Sequence, residues 1–250
     1  HTKKPVKKLR AKAIFDQIVQ RAWECADPGM IFLDAVQDAN VNDHLGVMDA
    51  TNPCGEQPLL PNESCNLGSI ILGNHVTDGE VPGGGKVDWE KLKNTVYTGV
   101  HFLDNLIELN KYPLPVIDEM VKKTRKIGLG VMGFAHMLYK MGIPYNSQES
   151  VDLISKIMNF VNTNAQEASV ELAKVRGAFP AWKGSKWEKR GVKIRNSHVT
   201  SIQPTGTISM LANTSSGIEP VFSLVTIRRT FFDDKGNSTG GQVMKVVDPV

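Results

Sequence analysis

The chain has 250 residues, 41% of them apolar, with 29 basic and 26 acidic side chains and a net charge of +3. That is enough to bury a sizeable core, and no apolar run reaches the roughly 18–20 residues that span a bilayer. The basic stretch from Lys3 to Lys12 reads as a solvated helix start, with neither the clustered face of a nucleic-acid binder nor the apolar segment of a secretion signal. Membrane, collagen-like and disordered classes are therefore excluded. Three cysteines with no Cys-x-x-Cys pair do not make a disulfide framework or a zinc site, and they suit a reducing cytoplasm.

Over residues 9–26 the apolar side chains Ile14, Phe15, Ile18, Val19, Ala22 and Trp23 recur at helical spacing, and Pro28-Gly29 ends that helix. Cys25, on the same apolar side, reads as a small buried hydrophobe. Met30 to Leu33 read as a short buried strand. Residues 37–58, rich in Asn, Asp, Pro and Gly, predict a loop longer than the usual limit of about 12–15 residues, the kind that often carries function. A strand follows at about 65–72, then a turn-rich stretch over 78–86. Residues 88–110 predict a strong helix with Trp89, Leu92, Val96, Val100, Leu103 and Ile107 on one face and Asp88 at its start.

After Pro113 and Pro115, a helix at about 116–125 leads into a strand at Ile127–Met132, and helices are expected at Phe134–Met141 and Gln148–Arg176. Strands are expected at 198–203, 208–211 and 221–228, with a last alternating pattern at 242–247. Trp23, Trp89 and Phe102 read as packing residues, and the lone His136 and His198 as hydrogen-bonded scaffold. This alternation places the chain in the α/β class, with helices outside a sheet or barrel. Only five or six strands are legible, where a closed barrel usually takes about eight, and both ends read as cut. The expectation is a part of a longer polypeptide.

The chief chemical candidate is Asn52-Pro53-Cys54-Gly55-Glu56, with Cys65 eleven residues after Cys54. A stiff proline and a permissive glycine flank the thiol, as a tight loop tip requires. In an extended segment, two-residue spacing would direct Asn52, Cys54 and Glu56 to one side. A nucleophilic cysteine wants a positive neighbour, whereas a glutamate disfavours the thiolate. The pattern points to a thiol that loses a hydrogen atom; a surface loop with a stray cysteine stays open on these residues alone. A second candidate is Pro204-Thr205-Gly206-Thr207-Ile208-Ser209, whose hydroxyls and backbone amides could cradle an anion without the lysine of an ATP-type loop. Gly128-Leu129-Gly130-Val131-Met132-Gly133 matches a dinucleotide-binding pattern, but no acidic strand end follows at about 20 residues, and strand glycines also permit close backbone packing.

The finger motif, with Pro58-Leu59-Leu60-Pro61 and Cys65-Asn66-Leu67-Gly68-Ser69, resembles the active-site finger of the large catalytic chain of ribonucleotide reductases. Three later blocks, starting at Arg125, Gln203 and Thr214, agree in order, so the resemblance runs from about residue 27 to 228. The Pro-Cys-Gly form is most similar to the adenosylcobalamin-dependent members. The resemblance implies the second half of a ten-stranded α/β barrel spanning residues 1–250, with a finger loop at about 46–61. It implies that Cys54 becomes the thiyl radical, that Glu56 is the base for the ribose 3′ hydroxyl and that Asn52 holds the ribose. Cys65 would be one of two reducing thiols; its partner would lie on an upstream strand outside this chain. Pro204, Thr205, Gly206, Thr207, Ile208 and Ser209 would grip substrate phosphates.

The implied partners are a ribonucleotide substrate, the remainder of the same chain, a thioredoxin-type reductant and further copies in a homo-oligomer, in the cytoplasm and away from membranes. The piece by itself is expected not to turn over. Two alternatives remain: an NAD-dependent dehydrogenase built on Gly128, and a non-catalytic nucleotide-binding half barrel. On the reductase reading Ile202, Ile208, Leu211 and Val221 should be buried, with Cys54 and Cys65 facing one cavity and Thr205 to Ser209 across it.

Overall fold

The computed structural model describes residues 5–232 and 238–248. They divide into two compact units that meet in sequence between Ala39 and Asn40. In the first, α1 (Ala11–Cys25) and α2 (Leu33–Ala39) are the regular elements. Lys3 and Lys4 lie outside the described residues, and residues 5–10 are exposed and precede the helix. The strand expected at Met30 to Leu33 does not form; Val36 donates to Phe32 O at 3.0 Å and Leu33 opens α2 instead. A unit this short has too little chain to enclose its own apolar face. Trp23 is accordingly 82% exposed, and Cys25 is exposed, its thiol donating to Arg21 O at 3.3 Å, not a buried hydrophobe.

The second unit begins with a hairpin, β1 (Ala50–Thr51) against β2 (Pro58–Leu59). Then come β3 (Asn66–Ile71), the small antiparallel pair β4 (Val76–Thr77) and β5 (Lys86–Val87), and helices α3 (Trp89–Leu109) and α4 (Pro115–Thr124). β6 (Ile127–Met132) precedes α5 (Phe134–Met141) and α6 (Gln148–Arg176), and the short α7 (Lys186–Lys189) and α8 (Ile208–Leu211) follow. The antiparallel pair β7 (Val225–Phe232) and β8 (Ser238–Val247) ends the described chain.

Local chemistry sets the helix limits. The Asp88 carboxylate accepts from Lys91 N at 2.9 Å to start α3, and the Ser147 hydroxyl accepts from Ser150 N at 3.2 Å to start α6. Left-handed glycines, Gly133 and Gly142, bracket α5.

β6 is the centre of the architecture: all six of its residues are buried, as expected of a parallel strand covered on both faces. β3 runs parallel along one edge, from Asn66 opposite Ile127 to Ile71 opposite Met132. Along the other edge residues 198–201 run parallel, with Ile127 N donating to His198 O and Ser201 N to Leu129 O. The apolar face of α3 (Leu92, Val96, Val100, Leu103, Ile107) closes the core against Leu129 and Val131 of β6 and Ile157 and Val161 of α6. Among the described residues β3 has no strand on its outer edge, and no sheet closes into a barrel. Phe102 of α3, expected in core or barrel packing, is exposed beside that open edge and outside the core of this chain.

The segment 208–211 is a helical turn, not a strand. Ser209 N donates to Thr205 O and Ala212 N to Ile208 O, both at 2.9 Å, so only Ser209 turns inward. Ile208 and Leu211 are exposed, the latter 83%, Ile202 is exposed and Val221 only half-buried, against the expectation that all four are core. The last hairpin starts at Val225, later than the strand expected from 221.

At the entrance to β6 stands a fully buried carboxylate, Asp104 of α3. It accepts from Arg125 Nε at 3.0 Å and Nη2 at 2.8 Å, from Arg176 Nη1 at 3.1 Å, from Arg195 Nε at 3.4 Å and from Asn196 Nδ2 at 3.0 Å. Burial would raise its pKa, but the hydrogen bonds and charge of Arg125, joined by Arg195 and Asn196, hold it below the ordinary 3.8. The lowered value makes its contribution full above about pH 4 and lost as pH falls through the folded value. Asp104→Asn should cost about 3–5 kcal/mol in denaturant unfolding of the full-length chain, because it removes the buried charge shared by Arg125, Arg176 and Arg195 and leaves Arg125 only the half-exposed Glu108. The parent should also lose stability in acid more steeply than the variant; equal midpoints and equal acid slopes would contradict this role.

Candidate active site

The β1–β2 hairpin carries the finger. Asn52 N donates to Gln57 O at 3.1 Å and Gly55 N to Asn52 O at 3.0 Å, which closes a turn with Pro53 and Cys54 at its centre. Pro53 suits the second position of such a turn, and Gly55 takes a φ of 85° just after it. Cys54 is thus exposed at the tip. Because the segment is a turn and not extended, two-residue spacing does not align Asn52, Cys54 and Glu56 on one side. The Asn52 Oδ1 accepts from Gln57 N at 3.0 Å, so this side chain braces the loop and keeps its amide donors for other work.

Below the tip the finger is locked into the sheet. Ser201 Oγ donates to Glu56 O at 3.4 Å, and Gln57 is buried. The Glu56 Oε2 is buried and has no hydrogen-bond partner among the described residues. The Gln57 side chain crosses β6 at Gly128, where an added Cβ would come within 2.9 Å of its Nε2. Two residues on, a Cβ at Gly130 would sit 2.2 Å from both Gln203 Oε1 and Ser201 O. Gln203 Nε2 donates to Gly128 O at 2.7 Å, and its Oε1 accepts from Ser69 Oγ at 2.8 Å. The space at the glycine motif is therefore taken by protein: Leu67, Gln57 and Ser201 at Gly128, Gln203 and Ser201 at Gly130 and Thr214 at Gly133, which removes the basis of the dinucleotide-site alternative.

Cys65 is half-buried at the start of β3. Burial pushes its pKa up to about 12; the Lys126 charge pulls the other way, and Glu63 and Glu56 add to the rise. Lys126 is itself buried, its Nζ 2.8 Å from Glu63 Oε2 and 3.0 Å from Pro58 O. Part of His198 stays open to solvent, yet the surrounding protein and the Lys126 charge push its pKa down to about 4.

In the Pro204–Ser209 segment, Thr205 is buried with a left-handed φ of 57°, strain that clusters at functional sites. Its Oγ1 accepts from Gly217 N at 2.7 Å, while Ser209 and Ser216 share a 3.0 Å hydrogen bond. Pro204, Gly206, Thr207 and Ile208 are exposed, and a Cβ at Gly206 would meet nothing within 4 Å. Ser209 thus has a protein partner, and the Gly206 and Thr207 amides precede the first helical bond of α8. A groove of about 940 Å³ lies elsewhere, along the open edge of β3 and the flank of α3, and none of the expected site residues lines it.

Sequence reasoning missed Gln57, Glu63, Lys126, Ser201 and Gln203. The one usable signal was Gly128 and Gly130 two apart in a buried strand, since alternation places both on the same face and asks what fills it.

The chain matches the ribonucleotide reductase barrel domain over residues 1–194 and 189–247, and it belongs to that family. It is 49% identical over 249 residues to a vitamin B12-dependent ribonucleoside-diphosphate reductase of Thermoplasma acidophilum, covering 100% of this chain and 31% of that protein. A protein of the same description from Mycobacterium tuberculosis is 46% identical over 227 residues, 91% of this chain and 32% of its own length. The ribonucleoside-diphosphate reductase subunit alpha of Chlamydia pneumoniae is 32% identical over 263 residues, 89% of this chain and 25% of that one. The chain thus spans about a third of the length of its nearer relatives among these. Among the described residues no helix is long and apolar enough to cross a membrane.

The glycine positions separate packing from binding. Gly130→Ala should cost about 1–3 kcal/mol of stability, because the Ser201 backbone would have to shift. Gly206→Ala, with open space around it, should stay within about 0.5 kcal/mol of the parent. Thermal unfolding of the two full-length variants checks this, and equal losses would contradict the packing described.

Proposed function

We propose that this chain is part of the catalytic barrel of a ribonucleotide reductase and carries its radical finger at about residues 46–61. In this reading residues 1–250 lie within one ten-stranded barrel domain, the other half of which pairs along the open edge of β3. The observation that supports it most is Glu56 Oε2, a buried carboxylate oxygen without a partner beside an exposed thiol on a tight turn. A ribose hydroxyl would give that oxygen the donor it lacks.

Cys54, as a thiyl radical, takes the 3′ hydrogen atom and returns it to the same carbon at the end of the cycle, while Glu56 accepts the 3′ hydroxyl proton and gives it back. The Asn52 amide, its oxygen already engaged with Gln57, donates to the ribose oxygens. The 2′ hydroxyl leaves as water while Cys65 and a second thiol give up two hydrogens and end as a disulfide. Cys65 suits that task because its raised pKa keeps the hydrogen on sulfur at neutral pH. Pro204, Thr205, Gly206, Thr207, Ile208 and Ser209 receive the phosphates, with the Gly206 and Thr207 amides as donors and the open face of Gly206 as the place of approach.

Adenosylcobalamin, suggested by the vitamin B12-dependent relatives, would supply the initiating radical, and the exposed Cys54 beside the unobstructed Gly55 leaves room for a large group to reach the sulfur. A dithiol protein of the thioredoxin type would reduce the disulfide again, in a homo-oligomeric enzyme of the reducing cytoplasm.

In the full-length enzyme Cys54→Ser should abolish deoxynucleotide formation with nucleotide binding near that of the parent, since a serine O–H bond is too strong to yield the radical. Cys65→Ser should give substrate breakdown with little deoxynucleotide. Multiple turnover by either variant would overturn the assignment. Gly206→Val should weaken nucleotide binding by about 1–3 kcal/mol through a lost amide–phosphate contact, and unchanged affinity in a folded variant would remove the loop from the site.

A further inference from the structure

The proposed reaction gives Cys65 a task but leaves unused the buried ion pair beside it. Asn66 of β3 pairs with Ile127 of β6, so one step earlier Cys65 and Lys126 stand at the entrances of neighbouring parallel strands. Lys126 Nζ reaches back across 63 positions to Glu63 Oε2 at 2.8 Å, and it also donates to Pro58 O at 3.0 Å on the returning limb of the finger. The same Glu63 oxygen accepts from Leu60 N at 2.9 Å, and Glu63 N donates to Leu60 O at 3.0 Å. One ammonium group therefore holds the finger's return limb, the turn leading to Cys65 and the start of β6 together. Both side chains are almost wholly shielded, at 4% and 0% exposure, so their charges act through little water.

We propose that Lys126 and Glu63 are a pair of positioning residues that anchor the finger and together set the thiol–thiolate balance of Cys65. Lys126 favours the thiolate and Glu63 opposes it, so each moderates what the other would impose alone. The other charged group acting on the sulfur is Glu56 on the finger, which also disfavours the thiolate. His198 on the adjoining segment feels the same pair: the surrounding protein and Lys126 lower its pKa, and Glu63 opposes them. Proton exchange here is with solvent and needs no further reactant. The inference deepens the reductase reading, resting on it for the use made of Cys65, but the balance itself can be measured without turnover.

The test is the pH dependence of iodoacetamide alkylation at Cys65 in the full-length chain, followed by mass spectrometry of its peptide from pH 8 upward. Below the pKa the rate follows the thiolate fraction, so a shift of one pKa unit changes it about tenfold. Lys126→Met should slow alkylation about tenfold, Glu63→Gln should speed it about tenfold, and the double variant should return near the parent. Lys126→Arg should remain within about threefold of the parent, since the charge is kept. A purely structural role predicts that both single variants loosen the site and shift the rate the same way. That result, or four unchanged profiles, would overturn the proposal. If Lys126→Met does not fold, Glu63→Gln and Lys126→Arg still decide it: faster alkylation in the first with near-parent rates in the second supports the balance, and any other combination overturns it. Opposite shifts combined with full turnover by Cys65→Ser would keep the charge balance and reject the reductase role of the thiol.

Discussion

An ionised carboxylate cannot be taken out of water unless opposite charge and hydrogen-bond donors follow it, and Asp104 brings three guanidiniums with it. They come from separate parts of the chain: Arg125 from the end of α4, Arg176 from the last turn of α6, and Arg195 from the segment running to residues 198–201. Each of these precedes or supports an element of the central sheet. Arg125 sits at a left-handed φ of 48° as the cap of α4, and two residues later β6 begins. Asn196 completes the arrangement by donating to both Asp104 Oδ1 and Arg125 O, while its backbone N–H is held by Ser169 of α6. The electrostatic requirement of one buried oxygen pair thus aligns the entrances of the middle strand and its neighbour.

That alignment matters because Lys126 is the residue between the guanidinium knot and the strand. Its position is inherited from Arg125 on one side and from the buried β6 ladder on the other, so the ammonium arrives beneath the finger in a fixed place. From there the chain of contacts runs upward through Pro58 and Glu63 to the hairpin. On the far side of the hairpin Ser201, on the segment beside β6, donates to Glu56 O, and the Gln57 side chain packs over Gly128. A side chain at Gly128 would press on Leu67, on Gln57 of the finger and on Ser201, and one at Gly130 would press on Gln203 and the Ser201 backbone. The glycine pattern that suggests a nucleotide loop in the sequence is explained here as clearance for Gln57 and Gln203.

The sequence was most legible where one physical signal dominated. Ile127–Met132, Phe134–Met141 and Gln148–Arg176 end where expected, because a short apolar segment, flanking glycines and an apolar stripe with a serine cap are all local. Residues 208–211 misled because three apolar residues in four suit either state. The left-handed Thr205 decides for the helix by offering its carbonyl to Ser209 N, and no periodicity reveals that. Cys54, Glu56 and Asn52 stood out because a thiol between proline and glycine is chemically odd, although their presumed extended geometry did not survive the turn. The contacts that fix them were illegible for another reason. Glu56 meets Ser201 across 145 positions and Gly128 meets Gln203 across 75, separations at which local pattern carries no information.

The two finger-region thiols also divide the chemistry by their surroundings. Cys54 is at an exposed tip, held by backbone hydrogen bonds that leave its sulfur unencumbered, which suits a group that must be reached from outside. Cys65 is half-buried, with two glutamates against one lysine acting on it, so its thiol keeps its proton at neutral pH. A donor of hydrogen must carry it when called upon, and a thiolate carries none. On the proposed reductase reading, burial is the feature that fits Cys65 to a reducing role, more than any neighbouring base. The nearby lysine limits how far that goes: without some positive charge the sulfur would hold its proton too firmly for thiol–disulfide exchange, whose rate depends on the thiolate. On the proposed reductase reading, a single position has to serve both demands, and a moderated thiol meets them better than an extreme one.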